Sequence, residues 1–221
     1  MASAANPLLY YCYDAYCGWC YGFSPVIRKI EETFRDRLDF DVLSGGMILP
    51  ETPTHFGPMA RYVQTAYKQV ETLTGIRFGD DFLWHVNNPD ETDWYPDSTK
   101  PGIALCIFKE YFPGRAIEMA SDLQVALNSE GRDLTDDEAY RHLLERYGIP
   151  EDDFYTKLKS EEYKDKAYYE FALCKQLQVK GFPCVFLQVS DSKFYMIAQG
   201  YTDFETVAAR IEKVLADPEI N

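Results

Sequence analysis

The sequence predicts an α/β fold whose sheet is interrupted by an all-helical insertion. Three observations support this. An apolar run near the start leads straight into a helical pattern, the middle of the chain is periodic at helical spacing for about a hundred residues, and strand patterns return only after residue 183. The first run, Leu8 to Asp14 (LLYYCYD), is nearly continuous in apolar and aromatic side chains, as expected of a strand buried on both faces. In the next stretch Val26, Ile27, Ile30 and Phe34 recur at helical spacing; Ser24-Pro25 either caps a new helix there or sits inside one that began at the cysteines. Asp39 to Gly46 alternates Phe40, Val42 and Ser44 against Asp41 and Leu43, a second strand closed by Gly45-Gly46.

Helices are expected over Met59 to Thr74, Gly102 to Phe112 and the face carrying Ala116, Met119, Ala120, Leu123 and Leu127. Thr135-x-x-Glu138 reads as a capping box ahead of Leu143 and Leu144, and Gly148-Ile149-Pro150 as that helix's stop. Phe154 and Leu158 mark a short turn of helix, and Glu161 to Gln178 a longer one. Cys184 to Ser190 and Phe194 to Gln199 form a hairpin around Asp191-Ser192-Lys193. Asp203 caps a last helix carrying Phe204, Val207, Ala208, Ile211, Val214 and Leu215. This order divides the chain into a discontinuous core, residues 1–52 and 162–221, and an inserted helical subdomain, residues 53–161.

Composition narrows the function. The 221 residues are 46% apolar and 15% aromatic, enough to fill a core and bury about 70% of the unfolded chain's surface. Thirty-six acids against twenty-two bases leave a net charge of −14. That charge disfavours nucleic acid and anionic membranes as partners. No apolar run approaches the ~20 residues that span a bilayer. Six cysteines are too few for a disulfide scaffold. The first basic residue is Arg28, behind a segment rich in Tyr and Cys, so no secretory leader is read. The expected compartment is the reducing cytoplasm, unless an export signal ahead of MASAAN has been removed.

Chemistry concentrates at Cys17-Gly18-Trp19-Cys20. A zinc site needs a second ligand pair, and neither the other four cysteines nor His55, His85 and His142 supply one at ligand spacing. No metal is therefore expected. The motif sits where a buried strand ends and a helix begins, among unpaired backbone N–H groups at the positive end of the dipole. That placement is worth up to about 2 kcal/mol for an anion and favours the thiolate, the attacking species. Three residues along a helix start bring Cys20 beneath Cys17, deeper and less accessible. Cys17 can attack a disulfide, and Cys20 can then displace it from the mixed disulfide.

Gly181-Phe182-Pro183 precedes the strand at Cys184. A strand, a CxxC opening a helix, and a Gly-x-Pro before a terminal hairpin and helix resemble the thioredoxin fold, and the helical insertion resembles its DsbA-like branch. YDAYCGWCYGFSPVI, with Ser44 to Met47 (SGGM) after the next strand, is similar to cytosolic members described as protein disulfide isomerases or dithiol oxidoreductases. The resemblance implies a thiol–disulfide oxidoreductase or isomerase with Cys17 as nucleophile and Cys20 as resolving thiol. It further implies a cis proline at Pro183, with Phe182 offering backbone hydrogen bonds to an extended substrate. Gly18 and Trp19 would tune the redox potential and shape the surface. The partners implied are a disulfide-containing protein or small-molecule disulfide and a recycling reductant. No cofactor is implied beyond the dithiol, with glutathione a possible co-substrate.

Two rivals share the fold: a glutathione-dependent isomerase or kappa-type transferase, which places Ser where Cys17 stands, and a non-catalytic peptide-binding module. One departure concerns the carboxylate that thioredoxin and DsbA keep six residues before the first cysteine. That position is Tyr11 here, and Asp14 reads as a local Asx turn. Cys12, Cys106 and Cys174 are expected in the core, Cys184 as a small buried hydrophobe, and the three histidines at the surface. Asn87 to Pro101 reads as a solvated acidic connection with Trp94-Tyr95 packed down.

Overall fold

The computed structural model describes residues 6–217; the opening MASAA and the last four residues, which belong to the expected core boundaries, lie outside them. Four strands form a sheet in the order β2-β1-β3-β4. They are β1 (Leu8–Tyr13), β2 (Asp39–Ser44), β3 (Cys184–Ser190) and β4 (Lys193–Gln199). β1 pairs parallel with β2, Leu8 opposite Asp39 through Tyr13 opposite Ser44, and antiparallel with β3, Cys12 opposite Cys184. β3 and β4 form the hairpin.

Between β1 and β2 runs α1 (Gly18–Phe34), a single helix with Pro25 inside it. It begins at the cysteines rather than at Ser24, whose hydroxyl donates to the Tyr21 carbonyl at 2.8 Å. The insertion contributes α2 (Gly57–Thr74), α3 (Asp80–Asn87), α4 (Thr99–Tyr111), α5 (Ala116–Asn128), a 3-10 turn (Asp137–Tyr140), α6 (Arg141–Tyr147) and α7 (Glu151–Leu158). The chain returns through α8 (Glu161–Gln176) and ends on α9 (Phe204–Leu215).

The sheet's two faces follow the period-two rule. Leu9 and Tyr11 of β1, with Val42, Val185, Leu187 and Ala198, face Ile27, Ile30, Val207 and Ile211 of α1 and α9. Cys12, Leu43, Cys184 and Phe186 face the other way, where Cys174 of α8 covers them. The insertion packs onto this frame through α4 against α8 and through α5 against α1 and β2. Lys109 of α4 joins the two parts: its ammonium lies 2.7 Å from Asp41 and 2.8 Å from Glu170 and donates to the Val42 carbonyl at 2.8 Å. Burial alone would lower Lys109, but Glu170 and Asp41 reverse that and hold it above the usual lysine range. Burial in turn pushes Glu170 up, against the pull of Lys109.

Two expectations need correction, and one helix was not expected. Thr135 does not cap a helix, because Asp133 accepts hydrogen bonds from both its backbone N–H and its hydroxyl; Asp136 caps the 3-10 turn instead, through Glu138 N–H. The helix α3 carries too few apolar positions, Phe82 and Val86, to stand out as periodic. The histidines are half-buried with partners rather than simply at the surface. His55 meets the Thr92 carbonyl, His85 stacks on Trp94 with centroids 3.8 Å apart, and His142 lies 3.1 Å from Glu130.

Among the described residues no helix is long and apolar enough to cross a membrane, and no group of His, Cys, Asp and Glu is arranged to hold a metal ion.

Candidate active site

The strand β1 ends at Tyr13, and one turn of chain delivers Cys17 to the mouth of α1: Cys17 N–H donates to the Asp14 carbonyl at 3.1 Å. Cys17 is the helix N-cap, with an extended backbone, and its sulfur accepts the Cys20 N–H at 3.3 Å. A sulfur occupying the cap position takes one of the donors that the helix start leaves unpaired. Cys20 lies one turn deeper and is fully buried, whereas Cys17 keeps 6% of its surface. Burial first, then the hydrogen bond and charge of Cys17, pushes the Cys20 thiol well above the ordinary cysteine range. All six cysteines are free thiols.

Residues 165 positions downstream complete the site. The Cys17 thiol donates to the Phe182 carbonyl at 3.5 Å, and the Phe182–Pro183 peptide bond is cis. The Phe182 ring lies over Gly45: a Cβ there would come within 2.0 Å of the ring. The closing Gly45-Gly46 of the second strand thus has a second use, as the floor on which the proline loop rests. The helical turn that carries Gly18 and half-buried Trp19 forms the rim next to Cys17.

Asp14 ties these pieces together. One carboxylate oxygen accepts from Tyr16 N–H at 3.0 Å, the Asx turn, and from the Ser98 hydroxyl at 3.0 Å; the other accepts from Met47 N–H at 2.7 Å. The CxxC turn, the glycine loop and the start of α4 therefore meet on one carboxylate that is 2% exposed. Burial raises its pKa against the pull of those donors. Gln124 Nε2 adds a hydrogen bond to the Asp14 carbonyl at 3.3 Å. Tyr11, at the position where the thioredoxin pattern has a carboxylate, points its hydroxyl to the Cys20 carbonyl at 3.4 Å. Sequence reading did not find Asp14's wider role, since Met47 and Ser98 are distant along the chain and carry no spacing signal.

Cys17 opens onto a groove of about 950 Å³ between the sheet's end and the insertion. Its walls are mainly apolar and aromatic, including Trp19, Met59, Tyr67, Phe78, Trp94 and Phe182. Trp94 is thus not only packed down in its acidic connection, as expected, but part of the wall. Three ring contacts hold that wall: Tyr67 on Phe78, Phe78 on Phe82 and Phe82 on Trp94, centroids 5.5 to 6.2 Å apart. Convergent polar groups in a mostly apolar concavity are the usual composition of a ligand site.

Comparison with known proteins places the fold among known ones. No curated protein sequence matches the chain. Among solved structures, a candidate protein disulfide isomerase from Nitrosomonas europaea is similar at 23% identity and a TM-score of 0.79, covering 95% of this chain and 98% of that one. The cytosolic disulfide reductase DsbM from Pseudomonas aeruginosa, also solved with GSH, is similar at 25% identity and a TM-score of 0.74, covering 94% and 98%. A 2-hydroxychromene-2-carboxylate isomerase shares the fold at 12% identity and a TM-score of 0.64, covering 94% and 96%. The profile of the DSBA-like thioredoxin domain matches residues 95–212, more than half of the chain. With its α/β core, helical insertion and CxxC at a helix mouth, the chain belongs to the DSBA-like thioredoxin domain family of thiol–disulfide oxidoreductases.

Proposed function

We propose that this protein reduces or isomerises disulfides through Cys17 and Cys20. The Cys17 thiolate attacks one sulfur of a substrate disulfide; a Cys17–substrate bond forms and the substrate S–S bond breaks, releasing one thiol. Cys20 then loses its proton and attacks the Cys17 sulfur. The Cys17–Cys20 disulfide closes, and the second substrate sulfur leaves as a thiol. Two electrons have passed to the substrate, and a recycling reductant returns them. In isomerisation the substrate's own thiol displaces Cys17 instead, and no net electrons move.

The observation that carries this reading is the meeting of the Cys17 thiol with the Phe182 carbonyl at 3.5 Å, at the mouth of an apolar groove. In this reading backbone groups of Phe182, beside Pro183, pair with an extended substrate strand, as in β-strand addition. Gly18 and Trp19 bound the approach to Cys17. The similarity to a cytosolic disulfide reductase supports the cytoplasm as the compartment and reduction as the direction. The dithiol serves as the redox centre without a further cofactor, and glutathione is a fitting co-substrate or reductant. The core is assigned to residues 1–52 and 162–221 and the insertion to 53–161, which forms the groove's far wall.

The test is reduction of a protein disulfide by the dithiol form of the wild type, Cys17→Ser and Cys20→Ser. Loss of turnover in both variants supports the proposal, and equal rates in all three end it. Glutathione binding that survives loss of both cysteines, without disulfide turnover in the wild type, would assign the groove to a glutathione-dependent isomerase or transferase.

A further inference from the structure

The groove beside Cys17 carries a charge pattern opposite to that of the chain. The protein has thirty-six acids against twenty-two bases. Yet among the described residues no Asp or Glu lines the groove, and its two charged residues are Lys175 and Lys180. Both are exposed. Other lysines nearby in the chain or the fold are neutralised, Lys109 by Glu170 and Lys166 by Glu162. Among the described residues Lys175 and Lys180 are in no ion pair. The end of α8 places them. Gln178 adopts the left-handed conformation, φ 58°. Val179 N–H donates to the Cys174 carbonyl at 3.0 Å and Gln178 N–H to that of Lys175 at 3.0 Å, the paired bonds of a Schellman turn. Leu173 and Val179 pack on the same apolar cluster beneath it. The turn carries the chain on to Phe182, so Lys180 stands two residues, at most about 7 Å of chain, from the residue whose carbonyl meets the Cys17 thiol.

We propose that the groove selects low-molecular-mass disulfides that carry carboxylates, with Lys175 and Lys180 as the cations that determine this specificity. The inference rests on the thiol–disulfide reading of Cys17 and names its class of substrate. A groove of about 950 Å³ is in the size range of small-ligand sites. Its mainly apolar walls offer a carboxylate no charged partner other than the two ammonium groups. The chain's net charge of −14 repels such an anion at long range, so its capture depends on these local cations. An anion held there presents its disulfide to Cys17. The Cys17 sulfur bonds to one substrate sulfur, the substrate S–S bond breaks, and the other half leaves as a thiol with the proton Cys17 gave up; the carboxylates take no part in the chemistry.

The test compares the wild type, Lys175→Gln/Lys180→Gln and Lys175→Arg/Lys180→Arg, each in the dithiol form. The substrates are glutathione disulfide, which carries carboxylates, and uncharged 2-hydroxyethyl disulfide. Two exposed charge contacts, each worth about threefold, should make the ratio of second-order rate constants, glutathione disulfide over the uncharged one, fall about tenfold in the Gln variant. The Arg variant should stay near the wild type, and the wild-type ratio should shrink as salt is raised. A second arm needs no thiol chemistry. S-methylglutathione, an unreactive thioether with the same carboxylates, should bind the wild type about tenfold more tightly than the Gln variant by calorimetry. An unchanged ratio, or equal or absent binding of S-methylglutathione, would overturn the inference. Lysine-dependent binding by a wild type that turns over neither disulfide would instead overturn the thiol–disulfide reading, while supporting the two lysines as the anion-binding pair.

Discussion

The Cys17 thiol donates to the Phe182 carbonyl at 3.5 Å, and the two residues are 165 positions apart in the chain. The insertion lies between them in sequence, so the site forms only when β1, α1 and the loop ahead of β3 are assembled together. Changes remote from the cysteines should therefore reach the chemistry through the loops that hold this contact.

Gly45 is the clearest case. A methyl at this position would meet the Phe182 ring at 2.0 Å, far inside contact distance. Gly45→Ala should destabilise the protein by about 1–3 kcal/mol through overpacking and displace the Phe182 carbonyl from Cys17. The expected result is a lower midpoint in urea together with disulfide turnover reduced severalfold. Turnover equal to wild type would show that Phe182 does not need this position.

Cys20 sets a pH dependence. Its thiol is held well above the ordinary cysteine range, so at neutral pH it is protonated and only a small thiolate fraction can attack. That fraction grows about tenfold per pH unit while pH stays below the raised value, so resolution of a preformed Cys17 mixed disulfide should accelerate at about that rate between pH 6 and 8. Stopped-flow measurement of thiol release from the mixed disulfide checks this. A rate that is flat across the window would contradict it.

Lys109 and Glu170 test the join between insertion and core. Lys109→Met leaves Glu170 buried without its cation, and breaking such a pair costs about 3–5 kcal/mol. Adding Glu170→Gln should recover part of that loss, because the uncompensated charge is gone. Chemical denaturation of the two single variants, the double variant and the wild type completes the cycle. Equal stability of Lys109→Met and the wild type would remove the pair from the account.

Asp14→Ala withdraws the acceptor shared by Tyr16 N–H, Met47 N–H and the Ser98 hydroxyl. A buried donor left unpaired costs about 1–3 kcal/mol; the Ser98 hydroxyl is buried and the Tyr16 and Met47 N–H groups are part-buried, so the three losses together should clearly destabilise the protein. Ser98→Ala breaks two hydrogen bonds, its own to Asp14 and the one it accepts from Ile48 N–H, and leaves the other Asp14 contacts in place, so it should cost less. Similar thermal midpoints for the two variants would refute this ranking.

Much of the fold was legible because the signals were local. The apolar run at Leu8, the strand pattern at Cys184 and the Asp203 cap each lie within one element, and α9 begins with Asp203 accepting Thr206 N–H at 2.9 Å. The CxxC was legible because its spacing is itself the chemistry. What stayed hidden was assembled from residues distant in sequence. Asp14 reaches Met47 and Ser98, Gly45 supports Phe182, and Phe78 with Trp94 supplies a groove wall from the insertion. Thr135 misled for the opposite reason: the capping pattern is present, but Asp133, two residues earlier, takes both of its donors.

The most direct test of the account is the covalent intermediate itself. Cys20→Ser, incubated with a disulfide substrate and analysed by mass spectrometry without reductant, should carry one substrate thiol on Cys17, released by dithiothreitol. No adduct, or an adduct that maps to another cysteine while Cys17 stays free, would contradict the assignment of Cys17 as the attacking sulfur.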